Sequence, residues 1–112
     1  MADLLHDTNN NILTITLNRP DRLNAMSNEM RESLLCLLTQ QHSNLSVRAV
    51  VIRANGRGFC TGADVQPDQI LARRANIGEQ VKNGINQIIK QLVTLPVPVI
   101  SAVNGPAAGA GV

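Results

Sequence analysis

Two stretches of small residues in this chain are suited to binding an anion through main-chain N–H groups. Residues 58–64 have the sequence Gly-Phe-Cys-Thr-Gly-Ala-Asp, and residues 104–111 have the sequence Asn-Gly-Pro-Ala-Ala-Gly-Ala-Gly. Gly and Ala leave the backbone accessible, so a ligand oxygen can reach the N–H donors. At the start of a helix these donors have no intrahelical partners, and the helix dipole adds positive potential. The chemistry that such stretches favour is the binding of a phosphate, a carboxylate or a developing oxyanion.

The second stretch admits two other interpretations. Its small residues would also let a helix pack tightly on its neighbours, with no ligand involved. The Gly-x-x-x-Gly-x-Gly spacing of residues 105–111 after a strand is also that of the nucleotide turn of short-chain dehydrogenases. That turn needs a following helix, a strand and a ribose-binding acid, and the sequence has nothing after Val112. A nucleotide-binding α/β domain therefore stays open as a remote alternative.

Apolar strand patterns precede both stretches and would position them. The β-branched run at residues 12–17 predicts a strand, and a weaker strand at residues 4–7 is joined to it by a turn at residues 9–11, because Asn tolerates a positive φ. Residues 48–53 and 98–103 each contain a continuous apolar run. Continuous runs are typical of strands that are buried on both faces.

Helical spacing separates these strands. Ser27 is a candidate N-cap, and the apolar residues after it predict a helix that ends near His42. A second amphipathic helix is predicted from Glu79, and residues 107–112 are expected to open a third. Residues 67–77 are compatible with either a short helix or a mobile loop. The alternation of helices and buried strands predicts a layered α/β protein.

The composition excludes several other classes. A chain of 112 residues forms one domain at most, and its formal net charge of +2 is too small to indicate a polyanion partner. Phe59 is the single aromatic residue, which argues against a base-stacking nucleic-acid platform. No apolar run approaches the roughly 20 residues that span a bilayer, and no signal peptide is visible. We therefore expect a cytoplasmic or organelle-matrix location, with no nucleic-acid or membrane partner.

The cysteines and histidines show no metal-ligating or catalytic spacing. Cys36 and Cys60 form no Cys-x-x-Cys pair and have no His nearby in the sequence. We predict that both are small buried residues in a reducing compartment. His6 and His42 are predicted to be surface residues.

Three motifs in order resemble the enoyl-CoA hydratase/isomerase (crotonase) family. They are residues 18–26, with the sequence Asn-Arg-Pro-Asp-Arg-Leu-Asn-Ala-Met, and the two small-residue stretches at 58–64 and 104–111. The resemblance implies an α/β, crotonase-like (ββα spiral) fold, truncated before its C-terminal part. Residues 1–112 would be the N-terminal part of a single domain. The family processes acyl-CoA thioesters, with coenzyme A as part of the substrate and no separate cofactor, and it is usually homotrimeric or hexameric.

The same resemblance implies which residues form the site. The main-chain N–H groups of Ala63 and Ala110 would stabilise a thioester enolate, with Ala110 standing where many relatives have the middle glycine of Gly-Gly-Gly. For Arg22 a solvated charge is the alternative role, and for Asp64 the choice is between a general base and a structural acid that holds its loop. The residues implied to surround the CoA thioester are Arg22, Leu23, Ala25, Thr61, Gly62, Asp64, Val65 and Gly109.

Catalysis also requires groups that move protons. In the family, the carboxylates that do so would fall beyond Val112. Two hypotheses therefore remain open. Either the chain is the N-terminal part of an acyl-CoA-processing enzyme, a lyase or isomerase, or the chain as given is catalytically inert and has at most residual CoA binding. The motifs present here do not indicate which acyl-CoA or which reaction of the family is involved.

Overall fold

The computed structural model describes residues 3–44, 46–62 and 85–112. The predicted α/β alternation is confirmed there. The helix or loop expected at residues 67–77 and the start of the helix expected at Glu79 lie outside the described residues. In chain order the elements are β1 (Leu4–Asn9), β2 (Ile12–Leu17), a 3-10 turn (Pro20–Arg22), α1 (Asn28–Gln41), β3 (Ala49–Ala54), α2 (Ile85–Thr94), β4 (Val99–Ser101) and a second 3-10 turn (Gly109–Gly111).

The four described strands form one sheet in the order β1-β2-β3-β4. β1 and β2 are antiparallel, and Asn9 lies opposite Ile12. Between them Asn10 and Asn11 have φ values of 52° and 66°. Two consecutive positive φ values are the signature of a type I′ hairpin turn, which Asn tolerates well. The predicted hairpin is therefore confirmed.

The remaining strand pairs are parallel. Leu17 lies opposite Ala54 in the β2–β3 pair, and Ile52 lies opposite Ser101 in the β3–β4 pair. Because parallel strands point the same way, their carboxyl ends meet at one edge of the sheet. Three segments leave this edge: the first loop (residues 18–26), the second loop (described over residues 55–62) and the third loop (residues 102–111). Ligands of open α/β sheets bind preferentially at such an edge.

Helix α1 begins and ends where the sequence predicts. The N–H of Met30 donates to the Ser27 Oγ (3.2 Å), so Ser27 is the N-cap, and His42 is the C-cap. The buried face of the helix consists of Met30, Leu34, Leu37, Leu38 and Gln41. The apolar members of that face pack with β2 and β3 in the main hydrophobic core, and α1 also contacts α2.

The prediction that two strands are buried on both faces is wrong for the described chain. In β3, Val50 and Ile52 are buried, whereas Val51 is half-buried and Arg53 is exposed. β4 is shorter than predicted, and 53% of its Ile100 is exposed. Successive side chains of a strand point to opposite faces, and the buried set packs with α1 and α2 on one face. The continuous apolar runs therefore do not correspond to a sheet covered on both sides.

Helix α2 is amphipathic, as predicted, although fewer of its apolar side chains are buried than expected. Ile88 is buried, whereas Ile89 and Val93 are 47% and 77% exposed. Within the three described segments, neither length nor apolar character allows any helix to cross a membrane.

The two cysteines differ from each other, contrary to the prediction that both are buried. Cys60 is buried, whereas Cys36 is exposed. Cys36 lies two positions from the buried Leu34 and Leu38, which places it on the opposite side of α1. His6 and His42 are exposed, as predicted.

Candidate functional site

The two small-residue stretches lie side by side at the carboxyl edge of the sheet. The N–H of Phe59 donates to the Pro106 carbonyl (3.0 Å), and the N–H of Ala108 donates to the Cys60 carbonyl (3.0 Å). Cys60 and Ala107 also form a parallel β-bridge. The second and third loops are therefore joined by main-chain hydrogen bonds, which extend the parallel pairing beyond the ends of β3 and β4.

Glycine allows this close approach. A Cβ atom on Gly105 would lie 2.1 Å from the Arg57 carbonyl oxygen, and one on Gly111 would lie 2.0 Å from the Cys60 carbonyl oxygen. Real Cβ contacts are not this short, so a side chain at either position would push the two loops apart. The small residues therefore have the packing role that the sequence admits, whether or not they also bind a ligand.

Farther along, the same two loops meet at a pair of glycines with positive φ. Gly62 has φ 104° and Gly109 has φ 54°. A Cβ atom built on Gly109 would lie 3.9 Å from the Gly62 Cα. The backbones of the two turns are thus adjacent at the positions that precede Ala63 and Ala110.

The first loop supports the second loop from its other side. Met26 N–H donates to the Gly62 carbonyl (2.7 Å), and the Thr61 hydroxyl makes a longer contact with the Leu23 carbonyl (3.5 Å). Within the first loop, the Arg19 guanidinium donates to the Ala25 carbonyl. The implied CoA-binding segment thus runs directly alongside the turn that contains Gly62.

Asn24 connects these two loops from the interior. Its side chain is fully buried, at 0% exposure, and its φ is 56°. The Oδ1 atom accepts a hydrogen bond from the Arg19 N–H (2.7 Å), and the Nδ2 atom donates to the carbonyls of Asn55 (2.9 Å) and Gly58 (3.0 Å). In the sequence, Asn24 stands out only as a member of the motif at residues 18–26. The available signal was that Asn tolerates a positive φ and carries both donors and an acceptor.

The site residues expected from the sequence differ in their exposure to solvent. Of the CoA-binding set, Arg22 and Gly109 are exposed, Leu23, Ala25 and Thr61 are half-buried, and Gly62 is buried. Ala63, Asp64 and Val65 lie outside the described residues.

The second predicted donor, Ala110, lies within the 3-10 turn Gly109–Gly111. In this turn the N–H of Gly111 donates to the Ala108 carbonyl (2.8 Å), and the N–H of Val112 donates to the Gly109 carbonyl (3.2 Å). The expected opening of an α-helix is therefore present only as a single 3-10 turn. A single turn adds little helix dipole to the donors.

An apolar cavity of about 110 Å³ lies beneath the third loop. Its lining includes Phe59, Cys60, Ile88 and Gly111. Burial raises the pKa of the Cys60 thiol, and a hydrogen bond with the Gly62 main chain partly opposes that rise. The cavity is therefore suited to hydrocarbon, because an anion there would be desolvated. Among the described residues, no group of three or more His, Cys, Asp or Glu side chains could hold a metal ion.

Comparisons with known proteins agree with this geometry. The enoyl-CoA hydratase/isomerase family model matches residues 7–112. The 1,2-epoxyphenylacetyl-CoA isomerase of Escherichia coli K12 is 37% identical over 99% of this chain, and the match spans 43% of the relative's own length. Two similar crystal structures are enoyl-CoA hydratases.

The hydratase from Mycobacterium avium subsp. paratuberculosis K-10 is 30% identical, with a TM-score of 0.80. The superposition covers 99% of this chain and 42% of the hydratase chain. The hydratase from Bacillus anthracis is also 30% identical, with a TM-score of 0.79. The superposition covers 98% of this chain and 43% of the hydratase chain. The fold is thus the crotonase-like α/β fold over part of its length. By its sequence match and its structure, this chain belongs to the enoyl-CoA hydratase/isomerase family.

Proposed function

We propose that this chain belongs to an enzyme that processes acyl-CoA thioesters and that the N–H groups of Ala63 and Ala110 form its oxyanion hole. Both donors would bind the thioester carbonyl oxygen and stabilise the negative charge that develops when an enolate forms. This chemistry is consistent with the activities for which the relatives are named, an epoxyphenylacetyl-CoA isomerase and two enoyl-CoA hydratases.

One observation carries the proposal: the two small-residue turns are adjacent. The Gly109 Cβ position lies 3.9 Å from the Gly62 Cα, and each of these glycines directly precedes a proposed donor. A hole made from two separate main-chain segments requires such proximity, because both donors must lie about 3 Å from one oxygen atom. Glycines at these positions also keep side chains away from the bound carbonyl.

The remaining proposed site residues surround the CoA portion of the substrate. Arg22 is exposed at the 3-10 turn Pro20–Arg22, where its guanidinium is available to a CoA phosphate. Leu23 and Ala25 would contact the nucleotide and pantetheine through the main chain, together with Thr61 and Val65. Asp64 is proposed to hold its loop rather than to act as a base. The apolar cavity beside Gly111 would accept part of an acyl chain.

A second candidate is that the 112-residue chain binds CoA thioesters without turning them over. The observation that favours it is length, because the match spans only 43% of the E. coli relative. An oxyanion hole polarises a carbonyl, but proton transfer needs a separate acid or base. The resemblance assigns that task to carboxylates outside these 112 residues.

Two measurements test both candidates. The first follows the loss of enoyl absorbance during incubation with crotonyl-CoA and reports turnover. The second is infrared spectroscopy of bound crotonyl-CoA labelled with ¹³C at the carbonyl, which reports polarisation of that carbonyl. We expect the carbonyl stretching frequency to fall on binding. Ala110→Pro, which removes the N–H, should abolish most of that fall, and Ala110→Gly, which keeps it, should not.

Each outcome separates the candidates. Loss of the enoyl absorbance supports an active enzyme, in which a missing donor should slow turnover about 100-fold or more. Polarisation without turnover supports the binding-only candidate. The oxyanion hole itself would be contradicted if the carbonyl stretching frequency did not fall on binding to the wild-type chain. It would also be contradicted if Ala110→Pro lowered that frequency as much as the wild-type chain does.

A further inference from the structure

Asn24 is the one fully buried polar side chain that the structure describes between the first and second loops. Its exposure is 0%, and its amide makes three hydrogen bonds of 2.7–3.0 Å. A buried amide with all these partners is held in one position, and its loss would leave main-chain groups unpaired. Because it is fully buried, Asn24 does not contact a substrate. Any contribution to chemistry must act through the loops that it joins.

The two donor bonds of Asn24 fix the start of the second loop. One nitrogen binds the carbonyls of Asn55 and Gly58, and the bend between these residues contains Gly56 with φ 92°. A Cβ atom on Gly56 would lie 2.7 Å from the Pro20 Cβ. The bend is therefore held by hydrogen bonds from within and by direct contact with the first loop.

The end of the second loop is tied to the same segment. Met26 N–H donates to the Gly62 carbonyl (2.7 Å), two residues along the chain from Asn24. The segment from Gly58 to Gly62 is thus attached at both ends to residues 24–26. Asn24 holds the Gly58 end of this segment, and Met26, two residues farther on, holds the Gly62 end.

We propose that Asn24 is a positioning residue that sets the distance between the CoA-binding segment (residues 22–25) and residues 58–62, which precede the proposed donor Ala63. This inference rests on the proposed function. When residues 22–25 hold the nucleotide portion of CoA, the Asn24 amide keeps the segment from Gly58 to Gly62, which leads to the proposed donor Ala63, in register with the thioester carbonyl. Alignment of a donor with a carbonyl is sensitive to displacements of about 1 Å. Asn24 therefore governs how well the hole is aligned rather than how tightly CoA is held.

The test compares binding of crotonyl-CoA with binding of the matching thioether, which has the same CoA portion and no carbonyl. Calorimetry gives both dissociation constants for the wild-type chain, Asn24→Ala and Asn24→Asp. Asp is isosteric and keeps the acceptor for Arg19, but it loses both donors. Leu38→Val is the control, because Leu38 is fully buried in α1 and outside the three loops. Circular dichroism sets a temperature at which every variant is folded.

We expect the wild-type chain to bind the thioester crotonyl-CoA more tightly than the matching thioether, and the ratio of the two dissociation constants measures this preference. Both Asn24 variants should reduce that preference about tenfold, the effect of one hydrogen bond of ordinary strength, and weaken thioether binding much less. Amide spectra labelled with ¹⁵N, recorded without ligand, should show shifted signals for Thr61, Gly62 and Gly109. Leu38→Val should lower stability, keep the preference and leave these signals in place.

Each result decides one idea. If both Asn24 variants keep the wild-type preference and the wild-type signals of Gly62 and Gly109, the positioning role is overturned even where stability falls. If the wild-type chain binds the two ligands equally, the oxyanion hole fails as the proposed function. In that case the ligand-free spectra of Asn24→Asp still show whether Asn24 positions Gly62. The same spectra give the answer if Asn24→Ala does not fold.

Discussion

The second loop is held by different means on its two sides. On the side of the first loop, the Asn24 side-chain amide donates to the Asn55 and Gly58 carbonyls, and one main-chain hydrogen bond joins Met26 to Gly62. On the side of the third loop, the missing side chains of Gly105 and Gly111 let two backbones approach within hydrogen-bonding distance. The first-loop side should therefore be sensitive to removal of the Asn24 amide, and the third-loop side to atoms added at Gly105 or Gly111.

The largest effect is expected from adding a methyl group on the third-loop side. In Gly105→Ala the new Cβ would lie 2.1 Å from the Arg57 carbonyl oxygen. Since that atom is backbone, the loops must separate, and we expect a loss of about 3 kcal/mol in the free energy of unfolding. Urea denaturation measures it.

Gly58→Ala is the matched control for Gly105→Ala. Its Cβ would lie 3.3 Å from the Leu23 Cδ2, a side-chain atom that can move. We expect a cost below about 1 kcal/mol for this control. Equal costs for the two variants would contradict the view that the third loop is held by backbone proximity.

Removing the amide on the first-loop side should have the next largest effect. Asn24→Ala leaves the Gly58 carbonyl without its donor in a buried site and the Asn55 carbonyl without its donor in a partly buried one, and we expect a loss of about 2 kcal/mol. Asn104→Ala provides the comparison, because Asn104 is exposed and its side chain donates to the Gly56 carbonyl (2.7 Å). It should cost about 0.5 kcal/mol, and a larger cost than that of Asn24→Ala would reverse the assigned roles.

A smaller effect is expected where the first loop continues into α1. The Ser27 Oγ caps the helix at the Met30 N–H and also donates to the Asp3 carboxylate (3.0 Å). Ser27→Ala should cost about 1 kcal/mol, as is typical of an N-cap. Ser33→Ala, at an exposed position of the same helix, should change stability by less than about 0.5 kcal/mol. Thermal unfolding of both variants would show whether capping contributes to the first-loop side.

The smallest effect concerns Cys60, which lies between the two sides. Burial raises the pKa of this thiol in the folded chain, so the folded state keeps its proton at a pH where the unfolded state loses it. The resulting stability is fully present below the unfolded pKa of about 8.5 and is lost as the pH rises through the folded pKa.

Unfolding by urea at a series of alkaline pH values would measure this loss. The decline should become smaller in Cys60→Ala and stay unchanged in Cys36→Ser, because Cys36 is exposed. Thiol labelling of the folded chain should modify Cys36 before Cys60. Labelling in the opposite order would contradict the burial of Cys60.

Local patterns in the sequence were sufficient for several elements. The Asn turn, the strand at Ile12–Leu17 and the N-cap at Ser27 follow from properties of residues that are close together in the chain. The burial of β3 and β4 could not be predicted in this way, because a continuous apolar run says nothing about how many layers cover the sheet. The exposure of Cys36 likewise depends on which side of α1 meets the core.

For the site, the sequence by itself determined the two small-residue stretches, their order and the family whose motifs they resemble. It did so because Gly, Ala and Asn have backbone preferences that need no tertiary context. The resemblance implied that the two turns meet, but only the tertiary structure gave the contact between Gly62 and Gly109 and the burial of Asn24 between the first and second loops. Those facts depend on the parallel pairing of β2, β3 and β4, which brings segments far apart in sequence to one edge of the sheet.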